Sequence, residues 1–105
     1  MGLDATIYSA DERRLASVRL GNVAHVAFLR DLAVQSLGAQ SLVAARVLYS
    51  GTHSGDSIRV TELQPLSREL QVLADSPQAE MQTFARELVE LVRLALINET
   101  PIVFA

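Results

Sequence analysis

The sequence predicts an α+β fold: a small, mostly antiparallel sheet of three to five strands with about three helices packed on one face. Two observations carry this expectation. Apolar residues recur with period two near both ends of the chain and with period 3.6 over long stretches between them. The resulting order, strand, helix, one or two strands, two helices, strand, lacks the strict alternation of a parallel α/β fold. The 105 residues, 50% of them apolar, fit one domain over residues 1–105 with a single core.

The first strand spans Leu3 to Tyr8, with Leu3, Ala5 and Ile7 on one face and Asp4, Thr6 and Tyr8 on the other. Met1 to Thr6 also match a myristoylation pattern, against which stands the strand reading of the same residues. Ser9 to Arg14 is polar and reads as a turn. Leu15 to Leu20 adds a short strand, because Leu15, Ser17 and Arg19 oppose Ala16, Val18 and Leu20. Asn22 is a good cap for a helix running to Leu37, which Gly38 ends. The apolar positions of that helix leave only a strip around Asp31 and Gln35 for solvent, so it is expected to be central or to face another subunit.

A strand is expected near Arg46 to Tyr49, where Val47 and Leu48 suggest burial on both faces, and a short return strand at Ile58 to Val60. Thr61 to Gln64 has the spacing of a capping box and leads into a helix starting at Pro65 with Leu63, Leu66, Leu70 and Leu73 as its apolar edge. Ser76 and Pro77 supply the cap and first position of the next helix, which runs to Ile97. Met81, Phe84, Ala85, Leu88, Val89, Leu91, Val92, Ala95 and Leu96 form one continuous face of it. Arg86 with Glu90, and Glu90 with Arg93, are expected surface pairs. Ile102 to Phe104 is a final strand whose plausible neighbour is Leu3 to Tyr8.

Composition narrows the chemistry. The net charge is −3, and all nine cations are arginines scattered without a basic run, so nucleic acid is not an expected partner. The absence of lysine removes Schiff-base, phosphate-loop and lysine-base chemistry, and the absence of cysteine removes disulfides and thiolate sites. Asp4, Asp11, Glu12, Arg13 and Arg14 interrupt any signal core near the start, so the expected location is cytoplasmic, without membrane association.

Tyr49 to Ser57 is the segment least explained by packing. It gathers His53, Asp56, Thr52, Ser54 and two glycines at the end of an expected strand, where sites tend to be built. As an anion cradle it would offer backbone donors and the hydroxyls of Thr52 and Ser54. As a metal site, His53 and Asp56 supply two ligands and need a distant third, such as His25, Asp4 or Glu62. Gly55-Asp56-Ser57 resembles the start of the Gly-Asp-Ser esterases, but their Asp-x-x-His has no counterpart because no histidine follows His53. The plain structural alternative is a tight connection with glycine at positive φ. His25 and Arg30 are the second oddity, both projecting into the apolar arc of the first helix. Either each has its polar tip satisfied near a helix end or interface, or His25 faces His53 or Asp56 across a pocket and Arg30 serves an anionic partner.

The Met1-Gly2-Leu3-Asp4-Ala5-Thr6-Ile7-Tyr8 opening, the Tyr49 to Asp56 loop and the Pro101-Ile102-Val103-Phe104 ending resemble a set of short, uncharacterised bacterial proteins of about this length. That resemblance implies no activity. More loosely, small acidic α+β chains resemble the immunity proteins of bacterial toxin systems.

The functional expectation is a non-catalytic binding or interaction module. It is expected to form a homodimer, because the mean hydropathy of +0.24 leaves few polar residues to cover a small particle. A basic protein partner would suit its acidic surface. Two alternatives use the loop: a small metal-dependent or hydrolytic enzyme built on His53 and Asp56, and a sensor of small ligands or anions. No cofactor, catalytic residue or metal ligand is assigned.

Overall fold

A computed structural model describes residues 2–48 and 57–104. Strands β1 (Gly2–Tyr8) and β2 (Arg14–Asn22) form an antiparallel hairpin that leads into helix α1 (Val23–Leu37). A π-helical turn, Val43–Val47, follows. Beyond it come the two-residue strand β3 (Ser57–Ile58), a 3-10 turn at Val60–Glu62, helix α2 (Leu63–Leu73), helix α3 (Ala79–Asn98) and strand β4 (Ile102–Phe104). The sheet order is β2-β1-β4-β3 with every neighbouring pair antiparallel. The α+β class and the antiparallel sheet are therefore as the sequence predicts.

The hairpin closes through Ser9, whose N–H donates to the Arg13 carbonyl at 2.8 Å and whose carbonyl accepts from Glu12 N–H at 2.9 Å. Glu12 supplies the positive φ, 64°, that the tight turn needs. Ala5 lies opposite Val18 and Phe104, Ile7 opposite Ala16, and Ile58 opposite Ile102, so these residues share one face of the sheet. Ala5, Ile7, Ile58, Ile102 and Phe104 join one buried cluster with Val26 and Leu29 of α1, Leu66 and Leu70 of α2, and Phe84 and Leu88 of α3. On the opposite face Thr6 pairs with Ser17, their hydroxyls 3.1 Å apart.

Both caps of α1 are as expected. The Asn22 side chain accepts the His25 N–H at 2.9 Å, and Gly38, at φ 92°, donates to the Val34 carbonyl. The expected central position is not observed. Only Val26, Leu29 and Ala33 are buried, while Val23 is 59% and Phe28 43% exposed. The reason is topological: α1 continues from β2, which is an edge strand, so the helix lies at the border of the helical layer with one flank uncovered.

The strand expected at Arg46 to Tyr49 is corrected over its described residues, because Arg46 and Val47 belong to the π-helical turn. Val47 and Leu48 are both fully buried as foreseen, but Val47 ends the π-helical turn and Leu48 caps it. The turn is started by Ser41, whose hydroxyl accepts from Ala44 N–H at 3.1 Å. It is held from outside by Glu69 of α2, whose two carboxylate oxygens accept from Leu42 N–H at 3.0 Å and Val43 N–H at 2.9 Å.

Two helix starts also shift. α2 begins at Leu63, two residues before Pro65, because the capping interaction forms upstream: Glu62 accepts the Arg59 N–H at 3.0 Å and winds Val60–Glu62 into the 3-10 turn. Of the return strand expected at Ile58 to Val60 only Ile58 is in β3, which starts one residue earlier at Ser57, and Val60 belongs to the turn. α3 begins at Ala79, although the Ser76 hydroxyl still accepts from Gln78 N–H at 3.2 Å. Its core face contains Met81, Phe84, Ala85, Leu88, Leu91, Val92 and Ala95, all buried. Of the two surface pairs expected on α3, Glu90 with Arg93 forms, at 3.0 Å, and Arg86 with Glu90 does not. Among the described residues no helix is long and apolar enough to cross a membrane.

Candidate functional site

Of the residues singled out in the sequence, Thr52, His53, Ser54 and Asp56 lie outside the described residues. Arg30 has a structural partner: its Nε donates to the Ala44 carbonyl at 3.0 Å and ties α1 to the π-helical turn. His25 is different. It lines an open groove of about 300 Å³ between the end of β2, the first turn of α1 and the first half of α3.

The groove has a floor and two unlike walls. Its floor is core surface, formed by buried Leu20, Leu29 and Phe84. One wall is α3, where Glu80, Thr83 and Glu87 recur at helical spacing and form an exposed stripe. The other wall carries His25 of α1 and the Arg19–Leu20 end of β2, where Leu20 is the inward residue and Arg19 shares the outer face of the sheet with Asp4 and Ser17. No hydrogen bond or ion pair engages the side chains of Arg19, His25, Glu80 or Glu87 among the described residues. The ring beside His25 is that of Phe28, with centroids 6.5 Å apart.

The junction that places His25 depends on Gly21. Its φ is +115°, and a Cβ built there would stand 2.7 Å from Cδ2 of the His25 ring. Only glycine meets both conditions without strain. A Gly21→Ala substitution is expected to cost about 1–3 kcal/mol and to displace the imidazole from the groove wall. Thermal melting checks the first effect and the chemical shifts of the His25 ring the second.

A second cluster surrounds the ends of the undescribed segment. Arg46 donates from Nη1 to Glu62 Oε2 at 2.9 Å and from Nη2 to the Ser57 carbonyl at 2.7 Å. The π-helical turn before the segment is thereby clamped to β3 and to the 3-10 turn after it. The Arg59 backbone N–H, and then the Arg46 charge, hold the Glu62 carboxyl below its ordinary value of 4.5 against the opposing effect of burial. Because the folded value is depressed, Glu62 contributes stability above its unfolded value and loses it as pH falls through the folded one. The melting temperatures of the protein and of Glu62→Gln are expected to differ at neutral pH and to converge as the pH falls below 4.5 and through the depressed folded value. Parallel melting curves at every pH would contradict the clamp.

Among the described residues no three His, Cys, Asp or Glu side chains lie close enough to hold an ion. A second groove, of about 420 Å³ between α2 and α3 and lined by Gln71, Ala74, Arg86, Val89 and Glu90, has no residue of the expected site. His25 is thus the one candidate residue that the structure sets in a cavity among the described residues. Arg19, Glu80, Thr83 and Glu87 were not foreseen, and the only sequence signal for them was the three-four spacing on α3, which reads equally as a solvated stripe. The chain matches no protein-family model, curated protein or solved structure.

Proposed function

We propose that the protein is a non-catalytic binding module that takes a small molecule in the groove between β2, α1 and α3. The observation that carries this reading is the combination of an apolar floor with ionisable side chains that have no partner among the described residues. Folded proteins generally satisfy or solvate such groups, and a concave apolar surface with a few convergent polar groups is the usual form of a ligand site. At about 300 Å³ the groove lies at the small end of ligand pockets. His25 neighbours an aromatic ring, not a carboxylate that would orient it as a base, which favours binding over proton transfer.

Indole, titrated against the protein while backbone amide resonances are followed, is expected to shift Leu20, His25, Thr83 and Phe84 together. Thr83→Trp places a large side chain on the exposed wall and is expected to abolish those shifts while leaving the melting temperature within about 2 °C, as for other surface changes. Shifts that fall elsewhere, or that survive Thr83→Trp, would remove the groove as the binding site.

Self-association is a second reading, supported by the uncovered flank of α1. Val23 and Phe28 are the exposed apolar residues of a run, residues 23–28, that contains no carboxylate, arginine or lysine. Such a patch offers apolar area to a second copy of itself, with exposed Asp31 at its border one turn beyond Phe28. Light scattering is expected to give twice the chain mass at high concentration and the single mass for Phe28→Asp. A single mass for the unaltered protein at every concentration excludes this reading.

A further inference from the structure

We infer that two copies of the chain meet through the outer edge of β2, the strands pairing antiparallel about a two-fold axis at Val18 so that the two sheets become one. This rests on the self-association reading above and adds the elements that meet. The two edges of the sheet differ. β3 is two residues long, whereas β2 has nine and, among the described residues, no strand on its outer side. Long free edges are ordinarily blunted by proline, by lysine or by charged side chains turned inward. β2 has neither proline nor lysine, and its two charged residues, Arg14 and Arg19, are exposed. Its protection is limited to a bulge near either end, which leaves residues 16–19 in regular pairing with β1. The core is also unfinished on this side. Ala5 and Ile7 are fully buried, but Val18 and Ala16, which lie opposite them on the same inward face, are only half-buried, and Leu15 is 43% exposed. The uncovered flank of α1 lies along the same border, so one interface takes in both.

A second copy fits this edge because the strand is complementary to itself. Residues directly opposite each other in an antiparallel pair point to the same face, so an axis through a residue, not between two, keeps both inward faces together. Val18 is the middle of β2, and an axis there pairs the whole strand. It sets Val18 against its own copy, Ala16 against Leu20, Ser17 against Arg19, Leu15 against Gly21 and Arg14 against Asn22. The inward residues then continue the core across the junction, and no like charges stand directly opposed. Each exposed Leu15 comes to rest over a glycine, at the strand-to-helix junction where Val23 of the other copy is 59% exposed. An axis at Ser17 would instead set Arg14 against Leu20, which is 2% exposed, and one at Arg19 would oppose two arginines. Main-chain hydrogen bonds along the edge supply affinity, and the side-chain pairs supply the register.

The chain has no cysteine, so single cysteine substitutions report the register. Val18→Cys is expected to form a disulfide-linked dimer under mild oxidation, because opposed residues of paired strands lie ~4.5–5.5 Å apart at Cα, within the span a disulfide bridges. Ser17→Cys and Leu15→Cys, which do not face their own copies, are expected to link at least about tenfold more slowly. Ser17→Arg sets a cation against each Arg19 and is expected to weaken dimerisation about tenfold, while adding Arg19→Gln to the same chain should restore it. Loss of the hydroxyl contact between Ser17 and Thr6 would not be restored in this way. A dispersed amide spectrum at low concentration verifies that each variant is folded. Twice the chain mass without preferential linking at Val18, linking at Ser17 in its place, or no rescue by Arg19→Gln overturns the strand pairing and leaves self-association standing. A single mass for the unaltered protein at every concentration overturns both.

Discussion

Replacing Glu69 by alanine is expected to lower the stability of the protein by about 3 kcal/mol, far more than an exposed helical glutamate would cost. A helix start leaves its first N–H groups without intrahelical partners. In the π-helical turn Ser41 satisfies Ala44 with its hydroxyl and Ala45 with its carbonyl, and the N–H groups of Leu42 and Val43 are left for a group outside the turn. Glu69 takes both, one with each carboxylate oxygen, at 3.0 and 2.9 Å. Hydrogen bonds to a charged group contribute roughly 1.5–3 kcal/mol each, and removing the acceptor leaves two part-buried donors unsatisfied. Water reaching the site offsets some of that loss, which brings the total to about 3 kcal/mol and the fall in melting temperature to about 10–20 °C. Glu69→Gln keeps one oxygen and is expected to lose about half as much. A loss below about 1 kcal/mol for Glu69→Ala, in the range of ordinary surface changes, would show that the turn holds itself without α2.

The same interaction explains the main error in reading the sequence. Val43 to Leu48 alternates well enough for a strand and also has apolar residues at helical spacing, so local pattern does not decide its backbone. The deciding acceptor sits 27 residues away from Leu42, on a helix whose glutamate looks like any other polar position. By contrast, α1 and the core face of α3 were legible because their signals are local: Asn22 and Gly38 cap one helix, and the apolar positions of the other repeat over five turns. The pairing of β4 with β1 was also legible, since a short terminal strand needs a neighbour and the half-buried first strand offered one. The shift of α2 from Pro65 to Leu63 came from a competing cap, Glu62 on Arg59, where the sequence offered Thr61 with Gln64.

The groove was legible only through His25, a polar residue in an apolar arc. Its other walls join residues from β2 and α3 that are 61 to 68 positions apart, Arg19 with Glu80 and Glu87, and each looks solvated in its own element. Arg30 shows why such an arc is an ambiguous signal. It lies in the same broad apolar arc, and its Nε is engaged by the Ala44 carbonyl.

Leu29 joins the groove to the stability of the fold, and its truncation is expected to affect both. The side chain is fully buried, one of only three buried positions by which α1 attaches to the core, and it also lies in the floor of the groove with Leu20 and Phe84. Leu29→Ala is therefore expected to cost about 2–5 kcal/mol, a large part of the ~5–15 kcal/mol that a domain of this size has. The figure should fall near the low end, about 3 kcal/mol, because α1 is uncovered on one flank and can settle inward, where an enclosed position cannot. Leu29→Met, which keeps the volume, is expected to cost less than about 1.5 kcal/mol. Chemical denaturation separates the two variants, and indole titration reads the consequence for the groove: inward settling of α1 brings His25 towards α3 and should weaken indole at a floor that Leu29→Met leaves intact. If Leu29→Ala were as stable as Leu29→Met, α1 would be held by Val26, Ala33, its caps and Arg30 without Leu29, and the groove floor would not be the edge of the core. If indole bound the alanine variant more tightly, the helix would have stayed in place and left a deeper floor, and the stability loss would then lie nearer 5 kcal/mol than 3.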